Sequence, residues 1–425
     1  MNAGKFLHAI VAAALFTGIF TFASPADYLP TAHAETIADY DELIKQNPTM
    51  ADAYFLRGGE YYKANNYEQA IADFTKAIEL DPNFKTVYYI RGLIHNLMKN
   101  YDQAIADFTR AIELDPNDSD SYYNRGSTYH DLKNYEQAIA DFTKVMQIKP
   151  NHSKAYIERG KVYADLNNHA RAMYDFTRAI ELAPNDAESY IVRGEEYQNL
   201  KKYAQATNDF DKAIQLDASN SEAYFLRGDT YFQLKNYDSA IADYSKTIEL
   251  DEYYVTLAYH KRGLAYYNTK NYELAIEDLT KVTELAPNQA ALAYFVRGNS
   301  YGCLKNYKSA VADFTKSIEL NPNSSTAYSN RGWCRLVMKN YEQAIIDFNK
   351  AIELNPNDVL AYIRRGFGYR ELKDYERAVA DYTKAIELKP DDDRAYICRG
   401  HAYKTIGENE KAEADFAKAR ELENK

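Results

Sequence analysis

Eleven arginines are each followed by an aspartate sixteen residues later, from Arg57/Asp73 to Arg399/Asp415. A guanidinium and a carboxylate at one fixed separation support two chemistries. The arginines could face outward as a row of receptors for phosphate or carboxylate groups, or each could close on its aspartate. A charge set inside a packed face is costly without a countercharge. The constant separation therefore favours an internal Arg–Asp ladder, one pair per repeat, which sets the register between helices. Cys303, Cys334 and Cys398 form no CxxC pair, and an odd count cannot close completely into disulfides within one chain. Cys303 and Cys334 lie one repeat apart and could approach each other. The eight histidines are scattered without metal-ligand spacing. No Gly-rich phosphate loop, GxSxG, HExxH or isolated Ser/His/Asp or Cys/His set is present. Neither an enzyme, a cofactor nor a metal is expected.

The elements that hold these arginines repeat with them. Arg is followed by Gly in all eleven cases, at spacings of 34 residues except for two of 35 (227 to 262 and 262 to 297). Each repeat carries two apolar rows, such as Tyr54, Gly58 and Tyr61, then Ala70, Phe74 and Ala77. Both rows run i, i+4, i+7, which marks one face of an α-helix. Between them, Asn66 stands where a helix N-cap belongs, with Gln69 completing a capping box, and Asn100, Asn134 and Asn340 repeat the pattern. Asp81-Pro82-Asn83 reads as a stop followed by a fresh cap. Each repeat is thus predicted to be two antiparallel helices. The two extra residues fall in the turns 251–256 and 287–292, as harmless loops or as local changes of angle. Tyrosine, 40 residues in all, recurs at positions 4, 11 and 17 and reads as packing.

This pattern resembles the tetratricopeptide repeat, the 34-residue helix–turn–helix unit. Position 8 is Gly and position 20 Ala in all eleven repeats, while Arg stands at position 7 where the family usually places an apolar residue. The resemblance implies an all-α fold, a right-handed α-α superhelical solenoid of eleven repeats starting at 51, 85, 119, 153, 187, 221, 256, 291, 325, 359 and 393. Its first helices would line a concave groove. Residues 35–50 are expected to form an N-terminal half-repeat that caps the apolar flank of the first repeat.

Composition limits the partners. The chain of 425 residues is 46% apolar and 27% charged with a net charge of −11, normal for a folded soluble protein and unsuited to phosphate backbones. Residues 1–34 read as a signal peptide. Lys5 precedes an apolar-to-small stretch over 6–23, and Ala32-His33-Ala34 offers a cleavage site before Glu35. Export to the periplasm or medium is expected; the alternative is a membrane anchor formed by residues 6–23.

The resemblance suggests that positions 2, 5, 6, 9, 12 and 13 of each first helix face the groove. Repeats three to six carry a net −6 there, including Glu195, Glu222 and Asp229, whereas repeats ten and eleven carry +3, including Arg364 and Arg394. Across repeats six to ten, Phe225, Phe232, His260, Leu264, Tyr267, Phe295, Trp333 and Phe367 offer apolar anchors. The family's carboxylate clamp, with Lys at position 5 and Asn at position 9, is absent. The expected function is a non-enzymatic scaffold binding peptides or proteins, with charges steering orientation. A membrane-tethered assembly factor and a carbohydrate-binding or enzyme-accessory protein are the alternatives.

Overall fold

A computed structural model describes residues 36–250 and 253–423. The expected signal peptide, the first residue of the half-repeat and the Asp251–Glu252 part of one extended turn lie outside the described residues. The chain divides into two compact units, residues 1–216 and 217–425. Each is a solenoid of helical hairpins, and no strand occurs among the described residues.

The first unit opens with the helix Ile37–Gln46, capped by reciprocal bonds between Thr36 and Asp39. Hairpins follow, each with a first helix such as Ala51–Lys63 and a second such as Tyr67–Leu80. The second unit repeats the plan from Ser221–Gln233 and Tyr237–Leu250 onward. Position 8 must be glycine because the two helices touch there. A Cβ on Gly160 would lie 2.5 Å from the ring of Phe176. Ala70, Phe74 and Ala77 are fully buried, and the same positions form the core in later repeats.

The turn inside each hairpin corrects one expectation. Asn66, Asn100, Asn134 and Asn340 make no side-chain cap, so the capping boxes do not form. The residue just before each is left-handed, as at Asn65 (φ 58°) and Lys99 (φ 61°). With Asn65 so placed, its N–H donates to Tyr62 O (2.9 Å) and that of Asn66 to Tyr61 O (2.8 Å). This backbone closure ends the first helix in each of these hairpins. With the same closure, Asn168 and Asn306 do cap their helices, accepting from Arg171 N and Ser309 N. Between hairpins the fresh cap falls one residue later than expected: Asp118, Asp186 and Asp358 accept backbone N–H groups.

The Arg–Asp pairs are internal. Arg159 Nε and Nη2 donate to Asp175 at 2.9 and 2.8 Å, and the same fork recurs in all eleven repeats. The guanidinium also reaches backwards. Arg159 Nη1 donates to Thr143 Oγ1 (2.9 Å), in the second helix of the preceding repeat. Thr75, Thr109, Ser245, Thr315, Asn349 and Thr383 serve other arginines in this way. Each of these arginines therefore ties three helices together. Arg57 takes Asp41 of the helix Ile37–Gln46 in the same way (2.6 Å), and the repeat starting at 393 has Ala417 at that position. The tyrosines at positions 4 and 11 are half-buried and flank this ladder; Arg159 lies 5.9 and 5.8 Å from the Tyr156 and Tyr163 ring centres. They shield the ion pair at the edge of the core.

Candidate functional site

A helical wheel separates the first-helix positions into two stripes. Positions 2, 6, 9 and 13 share one stripe, while 5, 8 and 12 share the next. Because the glycine at position 8 closes on the second helix, position 5 is drawn inward. Phe225 is buried, its ring stacked on Tyr254 at 5.3 Å and set 5.9 Å from Tyr244. Phe295 lies 5.9 Å from Phe314 in the same manner. His260 is half-buried, its Nε2 without a hydrogen-bond partner among the described residues, and burial pulls its pKa below the usual histidine range. Phe225 is thus a core residue, and Phe295 and His260 belong to the helix–helix contact. Position 12 is intermediate: Phe232 and Tyr267 pack on the position-17 tyrosines Tyr237 (5.3 Å) and Tyr272 (5.8 Å).

Positions 6 and 9 build the exposed face. A position-6 side chain crosses to position 9 of the preceding first helix, as in Lys261–Asp229 (3.0 Å) and Asn330–Asn299 (2.9 Å). At repeats nine and ten this crossing brings Arg364 over Trp333, 5.0 Å from the ring centroid. Trp333 is 41% exposed. Arg364 has no ion-pair partner among the described residues; its Nη1 donates to Ser329 Oγ at 3.4 Å, and burial lowers its pKa. Phe367 carries Arg370 4.4 Å above its ring, and Leu264 rests on the core of its repeat.

The charge field differs from the expected one, because many of its charges are paired. Asp229 meets Lys261 and also accepts from Tyr244 Oη (2.6 Å); Glu222 accepts from Tyr254 Oη (3.2 Å). Arg394, expected to steer, is held by Asp392 at 2.6 Å, and Arg370 by Glu371 at 2.9 Å. Glu195 lies in the first unit, beside a depression between repeats four and five. All three cysteines are free, so Cys303 and Cys334 do not pair. No group of three or more His, Cys, Asp or Glu side chains is placed to hold a metal among the described residues. The sequence reading missed the His169–Glu196 pair (2.7 Å), although His169 stands where nine repeats have tyrosine.

The tetratricopeptide repeat profile matches residues 51–84, 86–118, 119–152, 153–186, 187–220, 221–254, 256–289, 291–324, 325–358 and 393–425, and a further TPR repeat profile matches 368–407. The chain belongs to the tetratricopeptide repeat family. Such repeats generally bind peptides or proteins, and the fold is typically a non-catalytic scaffold. Among solved structures, MamA shares 28% identity over 38% of this chain and 94% of its own (TM-score 0.37). YrrB, described as a TPR protein with an unusual peptide-binding site, shares 23% over 44% and 97% (TM-score 0.38). The C-terminal part of a TPR repeat-containing protein from Cytophaga hutchinsonii shares 22% over 56% and 97% (TM-score 0.49). No curated protein matches the chain.

Proposed function

We propose that this protein is an exported scaffold that binds a peptide segment along the first helices of repeats seven to ten. The observation that carries the reading is the Trp333–Arg364 stack, a large exposed ring beside a cation with no ion-pair partner among the described residues. Aromatic and arginine side chains dominate binding energy where a partner excludes water. The partner segment would bring an apolar or aromatic side chain onto Trp333 and Phe367 and a carboxylate to Arg364. Repeats seven to nine carry little other groove charge, so this contact would set both affinity and direction.

Trp333 is the only tryptophan, which makes its emission a direct reporter. An array of acidic twelve-residue peptides, each carrying one aromatic residue, should yield binders that shift Trp333 fluorescence on titration. Trp333→Ala should weaken those binders by about 2 kcal/mol, roughly thirtyfold, with helicity unchanged. Binders that leave the emission unaltered and hold Trp333→Ala as tightly would refute the site. For the cellular location, the Ala32-His33-Ala34 site supports a mature chain beginning at Glu35 in the cell envelope. N-terminal sequencing of the protein from cells should return Glu35; Met1 would mean a tethered form.

A further inference from the structure

A cavity of about 240 Å³ opens between the first helices of repeats four and five, Ser153–Asp165 and Ala187–Asn199. Small side chains help to leave it open. In repeats one, three, six and seven an aromatic at position 12 packs on the tyrosine at position 17, as Tyr62 on Tyr67 (5.8 Å), His130 on Tyr135 (6.0 Å), Phe232 on Tyr237 (5.3 Å) and Tyr267 on Tyr272 (5.8 Å). Repeat four has Ala164 and His169 at these positions, a methyl group and an imidazole. Glu196 of repeat five lines the space and is only 1% exposed. Its carboxylate accepts from His169 Nδ1 (2.7 Å) and from Asn199 Nδ2 (3.3 Å).

A carboxylate this deeply buried needs a countercharge. Neither an amide nor an imidazole is a permanent cation, and two bonds use about half of the roughly four acceptor positions of a carboxylate. The lysine on the rim is committed elsewhere: Lys161 holds Glu158 (2.9 Å) and Glu188 (3.3 Å). The cavity is smaller than the roughly 300 Å³ from which small-molecule sites begin, and holds about eight waters at 30 Å³ each. That is room for one long side chain. Ala164 and Val192 offer apolar wall for methylenes, and Glu195 adds a second acid at the rim.

We propose that this cavity receives an arginine side chain of a bound peptide, its stem on Ala164 and Val192 and its guanidinium on Glu196. A guanidinium is always charged, weakly hydrated and forked, and so suits a part-buried carboxylate better than an ammonium. The inference rests on the reading that the first helices bind peptides, but uses a site separate from Trp333.

The test uses the mature chain and the capped tripeptide acetyl-Ala-Arg-Ala-amide, with a citrulline counterpart of the same shape and no charge, followed by saturation-transfer NMR. The arginine peptide should bind saturably and at least tenfold tighter than the citrulline peptide. Ala164→Phe, which fills the cavity with a ring and changes no charge, should abolish binding, and Glu196→Gln should weaken it at least tenfold. Circular dichroism and melting confirm folding; where Glu196→Gln melts early, Ala164→Phe decides alone. Equal binding of the citrulline peptide, or retained binding by Ala164→Phe, would overturn the proposal. Trp333→Ala should leave this binding unchanged, so failure of the Trp333 site and failure of this one are read separately.

Discussion

Replacing Asp175 by alanine tests whether the Arg–Asp ladder carries the fold. The carboxylate is 1% exposed and the arginine side chain 16%, so removing the acid leaves Arg159 with Thr143 as its remaining side-chain hydrogen-bond partner. Breaking a buried pair by deleting one partner costs about 3–5 kcal/mol, and the partial exposure of Arg159 places this case near 3 kcal/mol. A solenoid couples mainly nearest neighbours, so the loss should concentrate in repeat four and the repeats it touches. Native-state hydrogen exchange is the assay. Amide protection across 153–182 should fall about a hundredfold, the equivalent of about 3 kcal/mol in local opening, while distant repeats change little. The double change Arg159→Leu with Asp175→Ala removes the stranded charge and should recover much of the loss. Thr143→Val deletes only the bond between repeats and should cost about 1 kcal/mol. Wild-type protection in the Asp175→Ala protein would refute the argument and return the arginines to consideration as receptors.

Burial lowers the pKa of His95, His152 and His260, with neighbouring cations adding to it. An imidazole whose folded pKa lies below its unfolded value near 6.5 binds protons more readily unfolded, so stability should fall as pH drops through 6.5. Melting at pH 7.5 and 5.5 should show the loss, and His260→Phe should reduce it, since position 5 already holds Phe55, Phe225 and Phe295. Lys235 sits at φ 59°, where Gly407 sits in the last repeat. Lys235→Gly should stabilise by about 0.5–1 kcal/mol, the left-handed cost less the extra freedom of unfolded glycine; a destabilised variant in urea melts would contradict this. Thiol titration should find three free thiols per chain, Cys303 reacting in the folded protein and Cys334 only on unfolding, because burial pushes its thiol up to about 11.

Periodicity made the fold legible because the same hairpin is written eleven times, and one constant separation of sixteen residues exposed the ion pair directly. The partner at position 25 was equally available: a hydroxyl, amide or carboxylate stands there in ten repeats and alanine only in the last. It stayed hidden because its contact lies between repeats, where no fixed spacing within one unit points to it. The capping box failed for a different reason. Asparagine before a helix is a sound cap signal, and Asn168 and Asn306 do cap their helices. Asn66, Asn100, Asn134 and Asn340 follow the same left-handed turn without a side-chain cap, so residue type alone does not decide it. Residue type alone did not sort the expected groove anchors by burial, since positions 5 and 9 lie on neighbouring stripes of the first helix. Only the helical phase relative to the glycine at position 8 separates Phe225, which is buried, from Trp333, which is not.

The ladder also explains where function can reside. The arginine at position 7, the glycine at 8, the aspartate at 23, the aromatic at 24 and the polar residue at 25 are each committed to a contact that the hairpin or its neighbour depends on. Changes there would spread to neighbours. Positions 6 and 9 lie on the exposed face, and the informative departures occur there and at positions 10, 12 and 17, which pack in other repeats as Val162, Tyr62 and Tyr67 do. Ala164, His169 and Glu196 open one space; Trp333 and Arg364 expose one ring and one charge. Neither group strengthens the hairpin that holds it. Glu196 buries an acid, and Trp333 leaves a large apolar surface in water; each raises the free energy of the unbound chain. A partner that covers the ring or brings a cation to the acid would lower it, and so the binding sites are sought where the repeat is least like itself.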